Sequence, residues 1–308
     1  MKNNMLPTSM IVFMLFAYMS AYMNKKAASE AVLPTLSGEY MGQEVPGTQP
    51  QIFARDFVST HSFEYGVTFS PDGQEFYFSR QSDINVFDSK IYGTRLENGE
   101  WTKPEPVSFS DRSAQFEAQI SPDGQTMYFI SSQVKPNKFS RKGDVWTAKK
   151  SANGWEKPRY AKKILNDYYA RHVTSTTGGT LYFTGYHDHK YGIYRVESGC
   201  DAGLVPEYLP LEINYLKGVA HPYIAPDESY LLFDAQTEGL GKTAIYISFR
   251  NEDGTWTEAQ KLDSAINATH TEKYPSMSPD GQYLFFVRHG DIYWVDAGTL
   301  NELKSHAI

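Results

Sequence analysis

Ser70-Pro71-Asp72-Gly73 turns the chain once, and the tetrapeptide or a near relative returns at Ser121-Pro122-Asp123-Gly124, Ala225-Pro226-Asp227 and Ser278-Pro279-Asp280-Gly281, each time leading into an aromatic-rich run. Pro presets φ at the first corner, Asp bonds back to nearby backbone and Gly takes the left-handed position, so each copy reads as the tight turn of a β-hairpin. A degenerate copy, Ser175-Thr176-Thr177-Gly178-Gly179 before Leu181-Tyr182-Phe183, fills the gap in the series. The unit recurs about every 50 residues, the length of one propeller blade.

Each turn joins an inner strand (Val67-Thr68-Phe69, Ala118-Gln119-Ile120, His221-Pro222-Tyr223-Ile224) to a second strand such as Glu75-Phe76-Tyr77-Phe78 or Tyr230-Leu231-Leu232-Phe233. A third strand follows at Lys90-Ile91-Tyr92, Asp144-Val145-Trp146, Gly192-Ile193-Tyr194, Ala244-Ile245-Tyr246 and Asp291-Ile292-Tyr293, alternating as a half-buried strand should. Asn98-Gly99-Glu100-Trp101, Asn153-Gly154-Trp155 and Asp253-Gly254-Thr255-Trp256 mark the turn into an outer strand. The last unit has no outer strand of its own, whereas Gln51 to Val58 precede the first unit without a partner. Using that segment as the missing strand ties the ends together and leaves no free sheet edge. The fold expected is all-β, a five-bladed β-propeller whose N-terminal strand closes the last blade, with six blades as the alternative count.

These residues resemble the TolB-like family of WD-repeat-like β-propellers, whose inner hairpin turn carries the same Ser-Pro-Asp-Gly and whose third strand often reads Asp-Ile-Tyr. The likeness covers about residues 50 to 296. The third unit departs from it, with Thr-Thr-Gly-Gly in the turn and no Trp after its third strand. The resemblance implies a fold and no activity, because propellers serve as scaffolds, binders and enzymes alike.

The 308 residues are 41% hydrophobic and 15% aromatic, enough for one sizeable β domain. Net charge is −7, and residues 1–28 hold three lysines and no acid, so the chain beyond them carries −10. Such a surface repels nucleic acid and anionic membranes, so an anionic ligand must be met by a local basic site. Cys200 is the only cysteine, which excludes an internal disulfide and a thiolate metal cluster. The apolar run from Met10 to Met23, after Lys2 and before Lys25-Lys26, is too short to span a bilayer and fits the core of an export signal. The organisation expected is a signal peptide or anchor at 1–28, a Pro- and Gly-rich linker or strap at 29–50, and one propeller domain at 51–308, in a periplasmic or secreted protein.

Inner strands line a propeller's central channel. Aligning the units on the turn Ser or Ala places Gly66, Glu117, Arg171, His221 and Tyr274 in one position. Two residues nearer the turn come Thr68, Gln119, Val173, Tyr223 and Ser276, and two residues earlier Glu64, Gln115, Tyr169, Val219 and Glu272. A carboxylate, a guanidinium, an imidazole and a phenol converging on one axis is the set that acid–base chemistry on a charged ligand requires; the bland reading is a wet channel whose polar groups satisfy one another. The ring opens beneath the loops Arg80 to Lys90, Ser131 to Gly143, Gly185 to Tyr191 and Ala235 to Lys242. These offer Arg80, Lys135, Lys138, Arg141, His187 and His189 as rim contacts, with Phe87, Phe139 and Tyr186 for stacking on sugar rings.

In the catalytic reading Arg171, helped by Lys273, clamps a carboxylate, His221 is the base, and Tyr274 or Tyr223 donates a proton. Glu117, Gln119, Glu64, Glu272 and His172 complete the expected ligand shell. The set is similar to that of propeller-fold oligogalacturonate lyases, which implies β-elimination on uronate-containing oligosaccharides or polysaccharides as the activity. The alternatives are a non-catalytic TolB-like binder of a protein or glycan, and a glycoside hydrolase using paired carboxylates such as Glu117 with Glu272 or Glu64. A divalent metal, Mn or Ca, held by His221 with Glu117 or Glu272 is a further option, and His187-Asp188-His189 a weaker one.

Overall fold

The computed structural model describes residues 33–81, 88–107, 109, 114–132, 143–197, 205–239 and 241–305. Residues 33–35 belong to a separate N-terminal unit and carry no regular secondary structure. The expected signal segment lies outside the described residues, as do Phe87, Lys135, Lys138, Phe139, Arg141 and Cys200. Among the described residues no helix is long and apolar enough to cross a membrane.

From Leu36 onward the chain builds five antiparallel sheets, four with their strands in chain order outward from the axis and the last completed by the N-terminal strand. Blade 1 runs Phe63–Phe69, Glu75–Gln81 and Lys90–Glu97, with two short outer strands, Glu100–Trp101 and Glu105–Pro106, both on the third. Blade 2 repeats this with Gln115–Ile120, Thr126–Ser131, Asp144–Ser151, Gly154–Trp155 and Arg159–Tyr160. Blade 3 is Arg171–Ser175, Leu181–His187, Lys190–Val196 and Glu207–Tyr208, and blade 4 is Ala220–Ile224, Tyr230–Gln236, Thr243–Phe249 and Gln260–Lys261. Blade 5 is Lys273–Met277, Tyr283–Arg288 and Asp291–Asp296, and its fourth strand is Gln51–Ile52, with Gln51 opposite Trp294. The molecule is a five-bladed propeller closed by its N-terminal strand.

The repeated turn works through its own side chains. Ser70 Oγ donates to Asp72 Oδ1 at 2.5 Å and accepts the Glu75 amide at 2.8 Å, and the Gly73 amide, at φ 68°, closes the turn on the Ser70 carbonyl. Ser121 and Ser278 do the same for their blades. In the third blade the amides of Gly179 and Thr176 bond the Thr176 and Thr180 carbonyls, so Thr176, not Ser175, stands where Ser70 stands in blade 1. The sequence alignment of that unit is therefore one residue out. In a strand a one-residue slip exchanges the two faces.

Apolar cores lie between neighbouring blades. Tyr182, Ile193 and Ile213 pack on Phe233 and Trp256 between blades 3 and 4, and Ile247 and Leu232 pack on Leu284 and Phe286 between blades 4 and 5. At the closure, Phe53 is fully buried and touches Phe69 and Phe76 of blade 1 and Phe285 and Trp294 of blade 5, with ring centroids 5.1–6.5 Å apart. Its amide bonds the Ile292 carbonyl at 2.8 Å. Residues 36–50 cross the same junction: Tyr40 Oη donates to Asp280 at 2.7 Å and its ring packs on Phe69, Tyr283 and Trp294.

Because one ring fills the junction of the first and last blades, Phe53→Ala should lower unfolding free energy by about 3–5 kcal/mol. Equilibrium denaturation measures it, and a loss under about 1 kcal/mol would show that the closure does not depend on this residue.

Candidate functional site

Every inner strand breaks its register at the same place: between Tyr65 and Thr68, Phe116 and Gln119, Arg171 and Thr174, Ala220 and Tyr223, and Lys273 and Ser276. Within each break one residue is left-handed: Gly66 (φ 60°), Glu117 (56°), His172 (48°), His221 (51°) and Tyr274 (56°). Such bulges re-aim a side chain, and a residue with a Cβ held in that region costs on the order of 1 kcal/mol or more. Neighbouring blades hold the strained residues in place. The Glu117 amide donates to Ser79 Oγ (2.8 Å), that of His221 to Thr184 Oγ1 (2.9 Å) and that of Tyr274 to Asp234 Oδ2 (3.0 Å). In the first blade the position is Gly66, where a Cβ would come within 3.3 Å of Glu117 Cα. His172, not Arg171, is the third member of this ring.

Arg171 nevertheless reaches the site from the strand start, donating through Nη1 to the Ala170 carbonyl at 2.8 Å. With Glu117, His221 and Thr184 it lines a cavity of about 110 Å³ whose other walls are Gly185 and the exposed rings of Tyr169, Tyr186 and Tyr191. His221 Nδ1 lies 2.6 Å from Asp234 Oδ2, and the ring of Tyr274 lies 3.8 Å from that of His221, centroid to centroid. Tyr274 Oη donates to Glu117 Oε1 at 3.4 Å, while Glu117 Oε2 is buried with no hydrogen-bond partner among the described residues.

Burial raises the Glu117 carboxyl above its ordinary range, against the opposing charges of His221 and Arg171. For His221, burial opposes the charged ring, but the Asp234 carboxylate outweighs it and leaves the imidazole above its ordinary value. Burial lowers Arg171, with Glu117 acting in the other direction. Burial, then the charge of Glu117, pushes the Tyr274 phenol up. His172, 1% exposed, is held neutral by burial and by the charge of His221, and neither ring nitrogen has a partner among the described residues.

Other expected site residues stand elsewhere. Glu64 is closed to solvent and bound to Arg80 Nε at 2.8 Å, and Glu272 to Arg288 Nε at 2.9 Å. Each arginine also binds backbone carbonyls before its blade, Val58 or Ile266. Paired in this way and closed to solvent, Glu64 and Glu272 stand apart from Glu117 and His221, and neither they nor Arg80 line the Arg171 cavity. Gln119 and Tyr223 line a different cavity, on the face of the Ser-Pro-Asp-Gly turns, so Tyr223 is no proton donor to the His221 site. Lys273 does not line the Arg171 cavity, although its charge opposes protonation of His221. His187 stacks on Tyr168 at 4.0 Å, and among the described residues no three His, Cys, Asp or Glu are grouped to hold a metal.

Sequence reading missed Asp234, Thr184 and Tyr191. Asp234 carried a signal, being a lone acid in the apolar second strand Tyr230-Leu231-Leu232-Phe233-Asp234-Ala235. A buried unpaired carboxylate there would be costly, so a partner was implied.

No family model and no curated protein matches this chain. Among solved structures, a protein of Agrobacterium tumefaciens assigned as TolB is similar, with 21% identity, a TM-score of 0.48 and coverage of 77% of this chain and 72% of that one. A gluconolactonase of Xanthomonas campestris matches with 11% identity and a TM-score of 0.47 over 85% of this chain and 96% of its own. A thermostable family-43 glycoside hydrolase matches with 13% identity and a TM-score of 0.46 over 77% of this chain and 90% of its own. Likeness at this level extends to fold at most.

A glutamate whose folded pKa is raised binds its proton more tightly in the folded than in the unfolded state. The fold then loses stability as pH rises from the unfolded value through the folded one. Glu117→Gln removes that penalty. Its melting temperature should match the parent protein near about pH 4 and exceed it near about pH 8; a variant less stable at the higher pH would show that the ionised carboxylate stabilises the channel.

Proposed function

We propose that the protein acts on the uronate end of acidic oligosaccharides by β-elimination. The reading rests on one observation: Arg171, Glu117 and the Asp234-tethered His221 converge on a single small cavity. A guanidinium is suited to paired recognition of a carboxylate. At about 110 Å³ the cavity has room for the carboxylate-bearing end of a ligand and not for a chain passing through. The exposed rings of Tyr169, Tyr186 and Tyr191 offer stacking faces for the sugars behind it.

In this mechanism Arg171 holds the carboxylate and draws charge from the adjacent carbon. Neutral His221 takes the proton on that carbon, the freed pair forms the new carbon–carbon double bond, and the bond to the leaving oxygen breaks. Glu117, which lines the cavity and is disposed by burial to hold a proton, delivers it to that oxygen. Tyr274 is a positioning residue, stacked on the base and bonded to the acid. Asp234 orients the imidazole and raises its basicity. The apolar run at residues 10–23 accords with an exported protein meeting such substrates outside the cytoplasm.

Short galacturonate oligomers are the first substrates to try, following ultraviolet absorbance of the unsaturated product. His221→Ala should reduce the rate by about 10²–10⁴-fold. Asp234→Asn should lower the plateau rate and shift the acid limb of the pH profile downward, because loss of the carboxylate lowers the pKa of the base. Binding that depends on Arg171 but gives no product would make the propeller a binder of acid sugars rather than an enzyme. Absence of binding would remove uronates from consideration.

A further inference from the structure

At the opposite end of the inner strands, among the Ser-Pro-Asp-Gly turns, is a cavity of about 320 Å³ that the proposed reaction does not use. That volume is within the range of small-molecule sites. One residue from each inner strand lines it, two positions beyond the left-handed residue: Thr68, Gln119, Thr174, Tyr223 and Ser276. The four turn prolines form an apolar rim. Among the described residues no charged side chain lines it, in a protein of net charge −7 whose other channel mouth holds Arg171, Glu117 and His221.

The polar groups of this cavity divide in two. Thr68 accepts the Ile120 amide, Thr174 donates to the Pro222 carbonyl, and the Gln119 amide nitrogen donates to the Val67 carbonyl. These bonds fix the wall. The Ser175 hydroxyl is closed to solvent and out of a ligand's reach. The hydroxyls of Tyr223 and Ser276 and the carbonyl of Gln119 supply further donors and acceptors, and the Tyr223 and Tyr230 rings, 6.4 Å apart, supply a flat apolar side.

We infer that the turn-face cavity is a second ligand site, for a neutral polyhydroxylated molecule of monosaccharide size. Hydroxyl-rich partners suit Tyr223, Ser276 and Gln119 without bringing a charge into a wall that has none to pair with it. Tyrosine faces suit the apolar face of a sugar ring. The site stands apart from the Arg171 cavity and does not require turnover there.

Titration calorimetry and thermal shift with D-glucose, D-galactose, L-arabinose and their alditols test this on the full chain. At least one should give saturable heat and stabilisation. Tyr223→Phe should weaken it about 2- to 10-fold, the effect of one lost hydrogen bond. Thr177→Trp, a change at an exposed residue of the lining, should abolish it while leaving the fold intact. Glu117→Gln should leave it unchanged. No saturable signal from a folded protein up to about 100 mM, or binding indifferent to both Tyr223→Phe and Thr177→Trp, would overturn the inference.

Discussion

The channel depends on a hydrogen bond passed from one blade to the next. Ser79, Thr184 and Asp234 occupy equivalent places in the second strands of blades 1, 3 and 4, each a buried polar residue after an apolar or aromatic run. Each accepts the backbone amide of the left-handed residue in the following inner strand. Without that acceptor, the amide would be a buried unpaired donor and the positive-φ conformation would have nothing to offset its strain. The two remaining second strands put Ile130 and Val287 there. Their following residues are His172 and Gly66, of which Gly66 is at ease with positive φ.

This arrangement makes one structural device serve two ends. The bulge turns Glu117, His221 and Tyr274 toward one another, and where the polar residue that holds the bulge is Asp234 it also meets the His221 ring. The carboxylate accepts the Tyr274 amide and faces His221 Nδ1 from the same oxygen. Strain, buried charge and an orphan Glu117 oxygen in one place are what a fold selected only for stability would remove. The elements around them are ordinary by contrast, with apolar cores between blades and a closure sealed by Phe53.

The two ends of the inner strands differ in kind. At the start of the strands, near the loops, the ionisable groups Arg171, Glu117 and His221 line a small cavity edged by exposed tyrosines. At the turn end the same strands present hydroxyls, an amide and tyrosine rings without charge. The bulge lies between the two ends, so one strand presents Glu117 to one cavity and Gln119 to the other.

The sequence by itself determined that the chain is a propeller of five or six blades closed by its N-terminal strand, because the turn chemistry is local: a proline, an aspartate and a glycine within four residues specify a hairpin wherever they occur. Glu117, His221 and Tyr274 were legible for the same reason, by counting back from a turn. What only the tertiary structure decided is which groups meet. The third turn is one residue shorter, which exchanges Arg171 for His172 in the ring, and Glu64 and Glu272 are withdrawn by arginines sixteen residues on. Ser79, Thr184 and Asp234 reach partners 37–40 residues away in the next blade. Local patterns cannot carry such pairings, since they depend on how one blade is rotated against its neighbour, and that rotation is set by the packing of the whole ring.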